Sequence, residues 1–334
     1  RGVVQMARTL HSGCRGRPFK SDHPDFDSFF PSCYNYEMDD PIEIIKKADE
    51  YREKDGDFDK AIDILEDLLA EVRKDPIILC FYIPLILKKL GNLYRDIGDT
   101  KKAKETYEEA LKVARNDLNK TEESDILTAM AFLELKTGDA DKALKYAKKA
   151  EENIGPKRGI KFAEVRANTF AVLGNIYFEK GDFEEAAEKY RFALFVAKNA
   201  KNIKREVTIV QDIANLNIVK GDYHEAKRLL QYILKKSKGE KYCLAVPQMY
   251  LRLGKAYQGL RKLDQAKENF EKALQFAQEK KLVRDIAESY EALGDYFSML
   301  GDGNSKSYYE NALDIFEKGN YINSVMSVKK KLQS

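Results

Sequence analysis

An all-α solenoid is what this sequence predicts, and three observations predict it. Gly-Asp pairs recur at Gly56, Gly98, Gly138, Gly181, Gly221 and Gly301, with Arg261-Lys262 in step, so that successive turns stand 42, 40, 43, 40, 40 and 40 residues apart. A fixed period of that size is the mark of a repeat array. Between the turns, apolar and small residues fall at spacings of three and four, one face of an α-helix. The 334-residue chain is 43% hydrophobic, enough for the continuous core that stacked units share.

The fourth unit shows the pattern most fully: Leu173, Gly174 and Tyr177 on a first helix, Gly181-Asp182-Phe183 at the turn, then Ala186, Tyr190, Ala193 and Leu194 on a second. Gly174 and Ala186 are expected to let two helices approach closely, with Tyr177 and Tyr190 filling the space between neighbouring pairs. A left-handed glycine ends the first helix and the following Asp caps the next. The set returns as Leu90, Gly91, Tyr94, Ala103, Tyr107 and Ala110, and as Leu253, Gly254, Tyr257, Ala266, Phe270 and Ala273. The fifth unit is looser (Ile213, Ala214, Asn217, Ala226, Leu230), and the third has Ala131 and Glu134 where Gly and Tyr would stand. The first keeps Phe58, Ala61, Leu65 and Leu68; the seventh has Leu293, Gly294 and Phe297, then loses one residue before Tyr309 and Ala312. Pro84 and Pro247 stand near first-helix starts, where a missing N–H is tolerated.

These seven units resemble the tetratricopeptide repeat, across residues 42 to 318. The period of about 40 rather than 34 is similar to the longer Leu-Gly-Asn-type repeats of polarity adaptors, kinesin light chains and bacterial peptide-sensing regulators, and Leu90-Gly91-Asn92 and Leu173-Gly174-Asn175 spell that triplet. The resemblance implies a right-handed superhelical solenoid of seven helix pairs (residues 38–318) closed by a C-terminal capping helix (319–334).

Residues 1–37 show no helical period and are expected to be a disordered extension or a non-native leader. Asp39-Asp40-Pro41 after Met38 reads as a helix start and Met38 as the natural first residue. Arg1 to Lys20 carries five basic and no acidic residues, which makes a targeting peptide the alternative. His11, Cys14, His23 and Cys33 match no common zinc spacing. No C-x-x-C pair joins Cys14, Cys33, Cys80 and Cys243, as expected of reduced thiols in a cytoplasmic protein.

Net charge is only +3, with the signs interleaved, which argues against a nucleic-acid partner. The longest apolar run, Ile77 to Leu87, is too short to span a bilayer. His224 is the one histidine inside the repeats, and no phosphate-binding or dinucleotide glycine motif occurs. The chain therefore reads as no enzyme, with no cofactor or metal.

The resemblance implies that first helices line a concave groove. Counted from the Leu of Leu-Gly as position 7, family groove positions place Lys88, Asn92, Asn168, Asn175, Gln211, Asn215, Gln248, Arg252 and Lys255 there. Asn92, Asn175 and Asn215 share position 9, and an amide can pair with the C=O and N–H of any extended peptide; the alternative is that these amides bond neighbouring backbone. A chaperone-type carboxylate clamp is incomplete, because Ala129, Asn168 and Val172 stand where Asn, Lys and Arg belong. Thr128, Ala129, Phe132 and Leu135 make the third unit's groove face apolar, while Glu288, Glu291 and Asp295 make the seventh acidic. The expected function is a non-catalytic scaffold or adaptor, monomeric or weakly self-associating through its end repeats, that binds an extended peptide or a partner helix. A receptor for a signalling peptide and a structural assembly subunit are the alternatives.

Overall fold

The computed structural model describes residues 40–333, except 53–56, 75–81, 117–118, 156–158, 237–244 and 320. The expectations for residues 1–37, the start at Met38, all four cysteines and Gly56 lie outside the described residues. Those described form helices and turns without a strand. In chain order the helices pair as α1 (Pro41–Glu50) with α2 (Phe58–Lys74), α3 (Ile83–Asp96) with α4 (Thr100–Asn116), α5 (Lys120–Lys136) with α6 (Ala140–Ile154), and α7 (Ile160–Lys180) with α8 (Phe183–Asn199). Then come α9 (Ile203–Lys220) with α10 (Tyr223–Lys236), α11 (Val246–Gly259) with α12 (Leu263–Glu279), α13 (Val283–Met299) with α14 (Ser305–Lys318), and a last helix, α15 (Ile322–Gln333). The seven pairs and the final helix are those the period predicts.

Local chemistry sets the boundaries. Asp40 accepts from the Ile42 N–H at 2.9 Å ahead of Pro41, so α1 starts where its acidic-proline signal stands. Pro84 and Pro247 lie in the first turns of α3 and α11. At the turn between α7 and α8, Gly181 has φ +81°, and the N–H groups of Asp182 and Gly181 return to the carbonyls of Tyr177 (2.9 Å) and Phe178 (3.0 Å). That is the Schellman closure, whose left-handed residue is cheapest as glycine. Arg261 takes the same conformation at φ +58° without glycine, which keeps the glycine-less turn in phase with the others. Capping by the following Asp is confined to part of the array: Asp57, Asp99 and Asp139 each accept from the N–H three residues on, whereas Asp182 makes no such bond.

Curvature follows from which helices touch. From α3 to α13, each odd-numbered helix packs on the next odd-numbered helix, and even-numbered helices do not approach one another in the same way. The odd helices therefore crowd the inner side of the array, and the even ones fan out on the outer side. Helix α5 is enclosed almost all round, with Thr121, Glu122, Glu123, Ser124 and Thr128 buried beside its apolar residues. At the far end α15 lays Val328 on Ala287, Tyr309, Ala312 and Phe316, covering an apolar face that an eighth unit would otherwise cover.

Within four of the pairs, a glycine of the first helix seats an aromatic ring of the second. Tyr107 lies against Gly91, Tyr190 against Gly174, Phe270 against Gly254 and Tyr309 against Gly294. The looser units substitute both partners together, with Ala131 set against Ala147 and Ala214 against Leu230 at the same offset. Tyr190 is thus chiefly a filler within its own pair, against Gly174, and it belongs to a core shared with Ile209 and Leu216 of α9.

Candidate peptide-binding groove

Three of the nine side chains expected to line the groove, Lys88, Gln211 and Gln248, are committed to joining one inner helix to the next. Lys88 on α3 pairs with Asp125 on α5. Thr128, expected as part of an apolar groove face, is 4% exposed and shares a 2.8 Å hydrogen bond with Thr169 of α7. Gln211 donates to the Ala245 carbonyl at 3.0 Å, and Gln248 donates to Asp285 and Glu288 of α13 at 2.6 and 2.5 Å. Arg252 donates back to the Gln248 side chain at 3.2 Å. The acidic face of the seventh unit is engaged as well. Glu288 pairs with Arg284 at 2.8 Å, while Lys331 of α15 reaches Glu291 and Asp295 at 2.8 and 2.7 Å.

Position 9 is divided. The Tyr107 hydroxyl donates to Asn92 Oδ1 at 2.7 Å, where Arg95 also donates at 3.1 Å, and the Tyr190 hydroxyl donates to Asn175 Oδ1 at 2.6 Å. Burial, above all, raises the pKa of both phenols far beyond the usual range, so they stay protonated and can only be donors to those oxygens at ordinary pH. In the seventh unit Tyr309 donates likewise to Asp295, at 2.8 Å. The amides thus serve a structural bond through their oxygens, to a tyrosine hydroxyl rather than to the neighbouring backbone of the alternative reading, and their nitrogens have no partner among the described residues. Nor are those nitrogens among the buried unsatisfied atoms, which are Asn153 Nδ2, Asn168 Oδ1 and Glu206 Oε1, so both open to solvent.

Among the described residues, Asn168, Asn215 and Lys255 have no side-chain partner. Asn168 Oδ1 is a buried acceptor lacking a donor. Asn215 and Lys255 line a cavity of about 230 Å³ with Gln248, Leu251, Arg252, Glu288, Glu291, Asp295 and Lys331, so the inner face is open there rather than sealed by its own side chains. Upstream, Phe132 is flanked by Arg95 and Lys136 at 5.1 and 5.4 Å from its ring centre, which turns the expected apolar face into a ring between two cations.

Charges face one another across the inner side. Lys136, at the end of α5, is lowered in pKa first by burial and then by Arg284 of α13, four units away along the chain, with Glu288, Glu179 and Asp212 opposing. Asp212 of α9 is pushed up to about 6 by burial, against the attraction of Arg252 and Lys136. Asp285 is raised to about 6 by burial, the hydrogen bond from Gln248 opposing. The position-9 tyrosine contacts and these raised carboxyls escape a reading of first helices alone. The 15-residue offset from Asn92 to Tyr107 and from Asn175 to Tyr190 was the available signal for the former.

His224, expected in a turn, is exposed at the start of helix α10, and among the described residues no cluster of His, Cys, Asp and Glu could hold a metal ion. No described helix is long and apolar enough to cross a membrane.

Known proteins agree with this architecture. Tetratricopeptide-repeat family models match residues 82–154, and 167–194 together with 247–280. The stretch left between them holds the looser fifth unit. None of the curated proteins matches the chain. Among solved structures, the apo form of the quorum sensor NprR from B. thuringiensis is 18% identical with a TM-score of 0.63, over 78% of this chain and 71% of that one. Aspartyl phosphate phosphatase F from Bacillus subtilis is 11% identical with a TM-score of 0.55, over 90% and 95%. The STAND protein with a tetratricopeptide repeat sensor from Pyrococcus horikoshii is 14% identical with a TM-score of 0.55, over 88% of this chain and 50% of that one. At these identities the likeness is one of fold. The chain carries tetratricopeptide repeats at the residues those models match, and its helix pairs and ring-on-glycine seats continue the pattern beyond them.

Proposed function

We propose that this protein is a non-catalytic adaptor that holds an extended peptide of a protein partner along its inner helices, with α15 as the cap that ends the array. The observation that carries this reading is the set of inner-face groups left without a bond: Asn92 Nδ2, Asn175 Nδ2, Asn168 Oδ1, Asn215 and Lys255, the last two in an open cavity. An open, unpaired amide offers a guest strand a hydrogen bond worth about 0.5–1.5 kcal/mol net, so several must act together with apolar contact from Phe132 and Leu251 to reach micromolar affinity. A receptor for a signalling peptide is the second reading. It would use the same groove, and the fold shared with the quorum sensor NprR favours it.

Asn215→Ala with Lys255→Ala is the informative variant, since neither side chain bonds to another described residue. A peptide recovered by random display on the wild-type chain, then synthesised, should bind the double variant about 5- to 150-fold more weakly, taking two contacts of that size. The melting temperature should stay within a degree or two. Unchanged affinity, or a loss on replacing the exposed outer residues Phe195 and Tyr232 instead, would move binding off the groove.

A further inference from the structure

Resting on the groove reading above, we propose that Tyr107 and Tyr190 set the polarity of the asparagine row. Each hydroxyl occupies the amide oxygen of its asparagine and leaves the NH₂ as the free end, so the second and fourth units read a guest strand through its main-chain carbonyl oxygens.

An unanchored primary amide presents either its oxygen or its NH₂ to a guest, because a half-turn about its last torsion exchanges the two. Here that exchange is disfavoured. Asn175 Oδ1 holds the Tyr190 hydroxyl at 2.6 Å, and Asn92 Oδ1 holds both the Tyr107 hydroxyl and an Arg95 N–H, filling both lone pairs. Turning either amide over would leave the buried hydroxyl proton without its acceptor, even though the phenol oxygen could then accept from the NH₂, and at Asn92 it would also set an N–H against the Arg95 donor. The hydroxyls are fixed in turn, because their rings rest on Gly91 and Gly174, one residue before the asparagines they hold.

The other units vary the arrangement in a consistent way. Phe270 has no hydroxyl, and the residue 15 positions before it is Lys255 rather than Asn. Ala147 likewise answers to Phe132. Tyr309 keeps its hydroxyl and meets Asp295, whose remaining oxygen is taken by Lys331. Leu230 leaves Asn215 unanchored, so that amide alone can turn to suit an N–H or a C=O. From the second unit to the seventh, position 9 therefore offers an amide donor, an aromatic ring, an amide donor, an adaptable amide, an ammonium and an occupied carboxylate. The guest that fits presents acceptors to the second and fourth units.

The test uses the full chain and a synthetic peptide recovered from random display on the wild type, with analogues in which single backbone amides are replaced by esters, whose carbonyls accept more weakly. Tyr190→Phe keeps the ring on Gly174 and removes only the hydroxyl. It should weaken binding about 2-fold, the cost of selecting one of two amide orientations, and should reduce the sensitivity to one ester position that the wild type shows. Because the tyrosine acts through the asparagine, Tyr190→Phe/Asn175→Ala should bind no more weakly than Asn175→Ala alone. Phe270→Tyr, which adds a hydroxyl where no asparagine waits, should leave affinity unchanged. If Asn175→Ala weakens binding while Tyr190→Phe does not, or if the two losses multiply, the positioning role is overturned and the groove reading survives. If Asn175→Ala and Asn215→Ala both leave affinity untouched, the groove reading falls and this inference with it.

Discussion

Gly174→Leu should lower the unfolding free energy by about 1–3 kcal/mol, the range of an overpacked core. The cause is specific. A Cβ at Gly174 would stand 2.5 Å from both Cδ1 and Cε1 of Tyr190, against a comfortable carbon–carbon separation of roughly 3.5–4.0 Å. Tyr190 is 2% exposed, and its hydroxyl is held by Asn175, so the ring cannot swing aside without giving up that bond. Either α7 and α8 separate or the ring leaves the core. The protein itself contains the compensating pair, since Ala214 faces Leu230 in the fifth unit. Gly174→Ala combined with Tyr190→Leu should therefore lose less than the two single changes added together, a coupling that denaturant midpoints on the four proteins would measure. Equal midpoints for Gly174→Leu and wild type would mean that α7 and α8 do not meet at this seat.

The same seat shows what a sequence of this kind makes legible and what it hides. Period, turn glycines and the alternation of Gly91, Gly174, Gly254 and Gly294 with large rings are local facts, each repeated, so they specified the pairs and their boundaries. Even the irregular turn at Arg261 could be placed, because its neighbours kept phase. The groove was harder to read, because whether a polar residue is free depends on a partner 34 to 41 residues away. Lys88, Gln211 and Gln248 occupy groove positions, yet Asp125, the Ala245 carbonyl, Asp285 and Glu288 use them up. Lys331 satisfies Glu291 and Asp295 from a helix outside the repeat pattern, so the acidic end of the groove looked more available than it is. Asn175→Ala illustrates the consequence. Judged from its position alone, the substitution removes a peptide contact and little else; in the structure it strands the Tyr190 hydroxyl inside the core, at a cost of about 1–3 kcal/mol. Asn215, with Leu230 behind it, carries no such penalty and is the cleaner probe of binding.

Asp212→Asn should stabilise the protein in a strongly pH-dependent way, because burial raises this carboxyl from its ordinary 3.8 to about 6. The folded protein then holds the proton more tightly than the unfolded chain does. Below about pH 4 the group is protonated in both states and contributes nothing; as pH rises through 4 to 6 the unfolded chain ionises first, and the folded state is progressively disfavoured. Above pH 6 the penalty is complete, and a shift of about two units corresponds to about 3 kcal/mol. An asparagine has no proton to lose and carries none of this penalty. The gap in unfolding free energy between Asp212→Asn and wild type should thus widen from pH 4 to pH 7 by up to about 3 kcal/mol, with the variant the more stable. Arg252 and Lys136 face the carboxylate and pull the other way, so adding salt, which screens them, should widen the gap further. Asp285, raised for the same reason, is present in both proteins and cancels in the comparison. Denaturant titrations at four pH values decide the matter. Curves that run parallel from pH 4 to 7 would mean that Asp212 is solvated, and with it that the inner face of the solenoid is wide and wet rather than closely walled by α5, α9 and α11.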